Sequence, residues 1–125
     1  MNPIVYVVQN TMRADSQTGE LVPKFDLSPA RRHGELRYLL SPSAGPWTPE
    51  AVLPELARKL DGYRPEDFLL LVGSPILIGW AVALAAQASG GVVQCLQWSG
   101  SSQGYRAVRA DLDIDNYPIA QAISR

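Results

Sequence analysis

Short polar segments follow three apolar runs of this sequence, and their residue types suit the binding of a small anion. The segments are Gln9-Asn10-Thr11, Ser41-Pro42-Ser43 and Gly73-Ser74-Pro75. If the runs are parallel strands, their carboxyl ends meet at one edge of the sheet, where ligands bind in such folds. Trp98 joins this edge if a fourth strand is also parallel. The candidate ligand-binding residues are Asn10, Ser43, Gly73, Ser74 and Trp98.

Ser74 and Pro75 predict the start of a helix, because serine is a frequent N-cap and proline is tolerated at the first helical position. The free N–H groups of that helix would face the same edge and favour a phosphate or a nucleotide. The same residues are also an ordinary way to cap a buried helix. No glycine-rich run and no Walker lysine accompany Gly73-Ser74. Both interpretations therefore stay open.

Candidate partner-binding residues are Arg31, Arg32 and Trp98. The two arginines precede the lone histidine, His33, in a predicted surface turn, where solvated charge without a fixed partner is the commoner outcome. Nothing near His33 in sequence supplies a nucleophile or an orienting carboxylate. Trp98 stands beside a Ser/Gly loop, and exposed aromatic residues dominate the energetics of many protein interfaces.

The remaining candidates for chemistry are weak. Asp111, Asp113 and Asp115 occupy every second position, so an extended segment would place their carboxylates on one side, as the oxygen ligands of a hard cation require. The segment nevertheless lacks the length and the glycine of a calcium loop. A solvated acidic edge is favoured. The single cysteine, Cys95, lies in an apolar run and is expected to be an inert thiol. We expect neither a metal nor a cofactor, and a protein without catalytic activity.

Composition narrows the class of protein. The chain has 125 residues, 46% of them hydrophobic, which suits one ordinary domain with a real core. A net charge of −1 argues against a general nucleic-acid-binding protein. The first residues lack the basic segment and long apolar core of a signal peptide. We therefore expect a cytoplasmic protein that does not enter a membrane.

Residues 67–91 predict the central unit of the fold. Residues 68–72 form an unbroken apolar run, typical of a strand that is covered on both faces. The helix predicted over 76–88 is apolar all round over 76–86, so an exposed face is not expected. It would pack between the sheet and either the rest of the chain or a second copy. Gly79, Ala83 and Ala86 would allow a close dimer contact.

The other predicted elements surround this unit. Strands are expected at 3–10, 35–41, 92–98 and 105–112, the last two as a hairpin. A helix is expected over 48–60, either kinked at Pro54 or starting near it. Residues 11–34 form a polar excursion with a hairpin and one short helical turn. Residues 113–125 form a tail with a short helix from Pro118.

This alternation predicts a single α/β domain over 1–112. The sheet should be mixed and mostly parallel, with about five strands, helices packed on it and a C-terminal antiparallel hairpin. The two all-apolar strands should be interior, and strand 35–41 should flank the first. A flavodoxin- or Rossmann-like strand order is expected.

The strings YVVQNTMR, TGELVPKFDLSPA, GELRYLLSPSAGPW, LLLVGSPILIGWAVALAA and LQWSG resemble a family of small proteins encoded by tailed bacteriophages and prophages. The resemblance spans residues 5 to about 112 and brings no catalytic residues with it. It implies a small accessory protein in a bacterial host, acting by binding a host protein, a small ligand or its own copy. The alternative is a nucleotide- or phosphate-binding regulator or small hydrolase that uses the strand-tip crevice.

Overall fold

The computed structural model describes residues 2–117. They form seven strands, β1 (Ile4–Gln9), β2 (Met12–Ala14), β3 (Leu21–Pro23), β4 (Glu35–Leu40), β5 (Phe68–Leu70), β6 (Val92–Ser99) and β7 (Gly104–Asp111). Two α-helices are present in this part of the chain, α1 (Pro49–Leu60) and α2 (Pro75–Ala88). Short 3₁₀ turns cover Ser28–Arg32 and Ile114–Asn116.

The main sheet has the order β4-β1-β5-β6-β7. Strand β1 is parallel to β4 and to β5, β5 is parallel to β6, and β7 returns antiparallel. Numbered along the chain, this is the 2-1-3-4-5 order of flavodoxin-like folds. The predicted fold class is confirmed, including the flanking position of β4 and the C-terminal hairpin. The unbroken apolar run of β1 is explained by its interior place in the sheet, where both of its faces are covered.

Both helices pack on one face of the sheet. Val52, Leu56 and Leu60 form the buried stripe of α1, one residue per turn as an amphipathic helix requires. Helix α1 begins at Pro49, so the alternative prediction that it starts near Pro54 is wrong. Pro54 is exposed on the outer side of α1, where a proline ring avoids the sheet even though it removes one backbone donor.

The polar excursion covers the opposite face of the sheet. After the β2–β3 hairpin, the 3₁₀ turn places Ala30 against β1, and Leu27 precedes it; both are buried with Val5, Val7 and Leu70. This segment therefore takes the place of the helix that usually connects the first two strands of such a sheet. The expected hairpin and helical turn are both present.

Helix α2 differs from the expectation that it has no exposed face. Leu77, Ala81 and Ala85 are fully buried against the sheet, but Ile76 is 50% exposed and Gly79 and Ala83 also face outward. The reason is that α1 packs beside α2 on the same face of the sheet, so no described segment covers the side of α2 that points away from the sheet. Self-association through this face stays a prediction.

An ion pair secures the amino ends of β1 and β5. The Asp67 side chain is completely buried. Its Oδ1 accepts from Ile4 N at 2.9 Å and from Arg64 Nη2 at 2.7 Å, and its Oδ2 accepts from Arg64 N at 3.0 Å. Tyr63 adds a second link, because its hydroxyl donates to the Asp67 carbonyl and accepts from Gln94 N. One carboxylate thus joins the start of the chain to the α1–β5 loop.

The described part of the chain contains no helix long and apolar enough to cross a membrane.

Beyond β7, Leu112 N donates to Gly91 O at 2.8 Å, so the chain stays attached to the sheet at this point. The helix predicted from Pro118 lies outside the described residues. The domain boundary at residue 112 stays a prediction.

Candidate binding cleft at the carboxyl edge of the sheet

Gln9 closes the crevice at the carboxyl ends of β1, β4 and β5. It is 4% exposed, although it ends a run of apolar residues. Its Nε2 donates to the carbonyls of Ser41, Pro42 and Ala44 at 3.1, 3.3 and 2.6 Å. Its Oε1 accepts from Ser74 N at 3.2 Å. The protein's own carboxamide therefore occupies the place where the three strand tips meet.

The Gln9 side chain contacts Gly73 and Ser74, two of the residues that were predicted to bind a ligand. The Ser74 backbone N–H is already bonded to Gln9, and the Ser74 side chain makes no capping hydrogen bond. Gly73 has a φ of 126°, and a Cβ added to it would lie 2.7 Å from Gln9 Cβ and 2.8 Å from Oε1. Glycine is therefore required here for its backbone conformation and for the close approach of Gln9.

Replacing Gly73 tests this packing. We expect Gly73→Ala to lower the free energy of unfolding by about 2 kcal/mol, because it combines backbone strain with overpacking. Gly79→Ala is the matched control, since a Cβ at this helical position would meet nothing within 4 Å. The control should be stabilised by about 0.5–1 kcal/mol, the helix propensity gained. Urea denaturation measures both, and equal stability of the two variants would contradict the close approach of Gln9.

A separate apolar cleft of about 530 Å³ opens beside this crevice, where β5 ends and β6 continues. Its walls are the turn 71–73, the end of β6, two residues of β7 and Phe25 from the excursion. Trp98 is 46% exposed at its rim and makes an edge-to-face contact with Tyr105, with ring centroids 5.2 Å apart. Phe25 and Val108 are also about half exposed. An apolar cleft of this size suits an apolar group of a ligand or partner.

Two ionisable groups border the cleft, and both stay neutral near neutral pH. Burial raises the pKa of the Cys95 thiol. Burial, with a smaller contribution from the charge of Asp26, raises the pKa of the Tyr105 hydroxyl. A protonated thiol is a poor nucleophile. The cleft therefore offers apolar contact and hydrogen bonds in place of a reactive group.

The residues predicted from the sequence do not share one pocket. Gly73 and Trp98 line the apolar cleft. Asn10 and Arg31 line a neighbouring polar depression of about 330 Å³, which Phe25 also borders. The Ser43 hydroxyl lies 3.1 Å from the Ser41 hydroxyl and lines neither.

Arg31 and Arg32 diverge from Trp98. Both arginines line a third depression with His33, next to Asn2 and Pro3 near the amino end of β1. Trp98 lines neither of the depressions that Arg31 lines, so binding of a partner by all three residues stays a prediction. Within residues 2–117, no group of three or more His, Cys, Asp or Glu side chains is arranged to hold a metal ion.

The site residues predicted from the sequence did not include Gln9, Phe25 and Tyr105. For Tyr105 a signal existed, because a hairpin that pairs Trp98 with Tyr105 puts both rings on the same face. Gln9 was visible only as a polar residue at the end of an apolar run. Phe25 gave no signal, because its position depends on how the excursion folds back over the sheet.

Comparison with known proteins identifies the chain's relatives. No curated protein and no solved structure matches it. The family model described as Phage Pam3 gp32-like protein matches residues 3–112, which is most of the chain. This confirms the resemblance to phage-encoded proteins that the sequence indicated. The chain belongs to the Phage Pam3 gp32-like protein family.

Proposed function

We propose that this phage-family protein acts without catalysis by binding a host protein through the apolar cleft at the carboxyl edge. The observation that carries the proposal is the cleft itself, with Trp98 and Phe25 half exposed at its rim. Aromatic residues in partly closed apolar surroundings supply most of the binding energy at many interfaces. The protonated Cys95 thiol favours binding over covalent chemistry at this place.

Trp98 is the residue whose removal tests the proposal. The wild-type chain, immobilised, would capture partners from host lysate, and a captured protein would be identified, purified and titrated. We expect Trp98→Ala to weaken its binding by at least about tenfold, the effect of losing an aromatic anchor. Ile114→Ala is the control, because Ile114 is similarly exposed but follows the opposite end of β7. A purified partner that binds both variants equally would contradict the use of this cleft.

A second candidate function is the binding of a small anionic ligand, such as a nucleotide or phosphate. The observation that favours it is Arg31, which lies beside Asn10 and Ser28 in the polar depression and forms no salt bridge within residues 2–117. A ligand at 100 times its dissociation constant would stabilise the protein by about 2.7 kcal/mol. Thermal unfolding with a nucleotide panel, compared for wild type and Arg31→Ala, separates this candidate from protein binding.

A further inference from the structure

Strand β6 is longer than the strand it pairs with, and this leaves part of its inner edge free. Residues of β5 and β6 pair only at Leu69–Cys95 and Leu70–Leu96, whereas β6 runs on to Ser99. After Leu70 the chain turns toward β1, where Val72 O accepts from Gln9 N at 3.0 Å. No described backbone group bonds to residues 97–99 from the β5 side.

The pairing of β6 with β7 satisfies only half of these backbone groups. Gln97 lies opposite Arg106 and Trp98 lies opposite Tyr105 in an antiparallel ladder. In such a ladder, residues that exchange both hydrogen bonds with the opposite strand alternate with residues that direct both groups away. One of Gln97 and Trp98 therefore directs its N–H and C=O toward the cleft. An extended chain is the structure that matches such a strand edge.

The side chains around this edge fit an extended chain that carries a bulky apolar residue. Successive side chains of a strand point to opposite faces. One side chain of an added strand would enter the space between Phe25, Trp98 and Tyr105, while its neighbours point away. Strand addition combines main-chain hydrogen bonds for affinity with pockets for alternate side chains for specificity.

Two cationic side chains, Lys24 and Arg106, lie next to residues that line the cleft. Arg106 is paired with Gln97, and the Lys24 ammonium lies 5.6 Å from the centre of the Phe25 ring. Neither forms a salt bridge within the described residues. The acid next to Phe25, Asp26, accepts the Ser28 N–H at 3.0 Å. Charge complementarity therefore favours a partner segment with acidic residues beside the apolar one.

We infer that the cleft binds a short extended peptide segment, which adds as a strand to the free inner edge of β6. Its bulky apolar side chain enters between Phe25 and Trp98. An acidic residue next to it points to the other face of the sheet, toward Arg106, and an acidic residue two positions away faces Lys24. The inference rests on the proposed function, because it names the kind of segment by which a protein partner is recognised.

The test uses short random peptides displayed in a library and selected on the full-length wild-type protein. An enriched peptide is synthesised, and each of its backbone amides is N-methylated in turn, which removes one donor at a time. Strand addition predicts that methylation of the amide that donates to the free β6 carbonyl weakens binding by about tenfold or more, while the amides on either side of it, which point away, tolerate methylation. Arg106→Glu should weaken binding severalfold, and Arg58→Glu on α1 should not.

The outcomes separate this inference from the proposed function. An enriched peptide that loses affinity with Trp98→Ala but tolerates methylation at each of its amides overturns strand addition and leaves binding at the cleft intact. A peptide that binds the Trp98→Ala variant as tightly as it binds wild type counts against strand addition and against partner binding at the cleft. Failure to enrich any peptide also overturns strand addition, and the purified host partner then decides the proposed function alone.

Discussion

At neutral pH, Gln9→Glu is expected to lower the free energy of unfolding by about 3–5 kcal/mol. The substitution keeps the size and shape of the side chain. It replaces the Nε2 donor, which now bonds three carbonyl oxygens, with an anionic oxygen facing the same carbonyls. A buried charge without a partner carries its full desolvation cost. Within residues 2–117, the Ser74 N–H is the one hydrogen-bond donor that still faces the new carboxylate.

The pH dependence of this variant identifies the cause. The folded state should raise the pKa of the new carboxyl, because a protonated O–H can donate to a carbonyl. The destabilisation is therefore complete above the raised folded pKa and shrinks as pH falls toward the unfolded value of about 4.3. Urea denaturation between pH 7 and pH 4 measures it. Gln9→Met loses the donors without gaining a charge. Its loss of unfolding free energy relative to wild type should be smaller than that of Gln9→Glu and should not change with pH over this range.

Asp67→Asn is expected to cost about 3 kcal/mol at neutral pH, the lower end for breaking a buried ion pair, because Arg64 is partly exposed. The amide keeps the size of the carboxyl, but it cannot accept with both oxygens from Ile4 and Arg64 as the carboxylate does. Glu66→Gln is the matched control. Its salt bridge to the same arginine spans 3.3 Å on the surface, so its loss should cost less than about 1 kcal/mol.

Acid titration gives an independent measure of the Asp67 contribution. Burial alone would raise the pKa of this carboxyl, but hydrogen bonds from the Arg64 side chain and from Ile4 N, with the Arg64 charge, lower it overall. The stabilisation is therefore complete above the unfolded value of about 3.9 and is lost as pH falls through the folded pKa. The stability difference between wild type and Asp67→Asn should shrink in that window. A constant difference down to low pH would show that the charge contributes nothing.

The fold could be predicted because its signals are local. Unbroken apolar runs marked β1 and β5 as interior strands, and alternating residues marked β4 as a flanking one. The outer face of α2 could not be judged in this way. Exposed Ile76 is as apolar as buried Leu77, and exposed Ala83 is the same residue type as buried Ala81, so composition alone did not show which side the sheet would cover.

The candidate site was only partly predictable, because it depends on contacts distant in sequence. Topology correctly indicated the edge where the strand tips meet. It did not show that Gln9 would reach the carbonyls of residues 41–44 and the amide of Ser74. It also did not show that β5 would stop at Leu70 and open a cleft beside Trp98. The contacts of Gln9 depend on how far its side chain reaches, and the cleft depends on where β5 ends. Hydrophobic periodicity predicts neither of these.

The interior place of β1 in the sheet also governs how the chain folds during synthesis. Strand β1 leaves the ribosome before β5, its inner neighbour in the sheet, and Phe68 lies roughly 60 positions after Gln9, about 3–12 s of translation at ~5–20 residues per second. Until then the apolar run 5–8 has at most β4 as a neighbour, which makes nascent chains prone to aggregation and to chaperone binding. Brief proteolysis of ribosome-stalled chains should cut within β1 until β5 has emerged, and protection before that point would contradict this order of events.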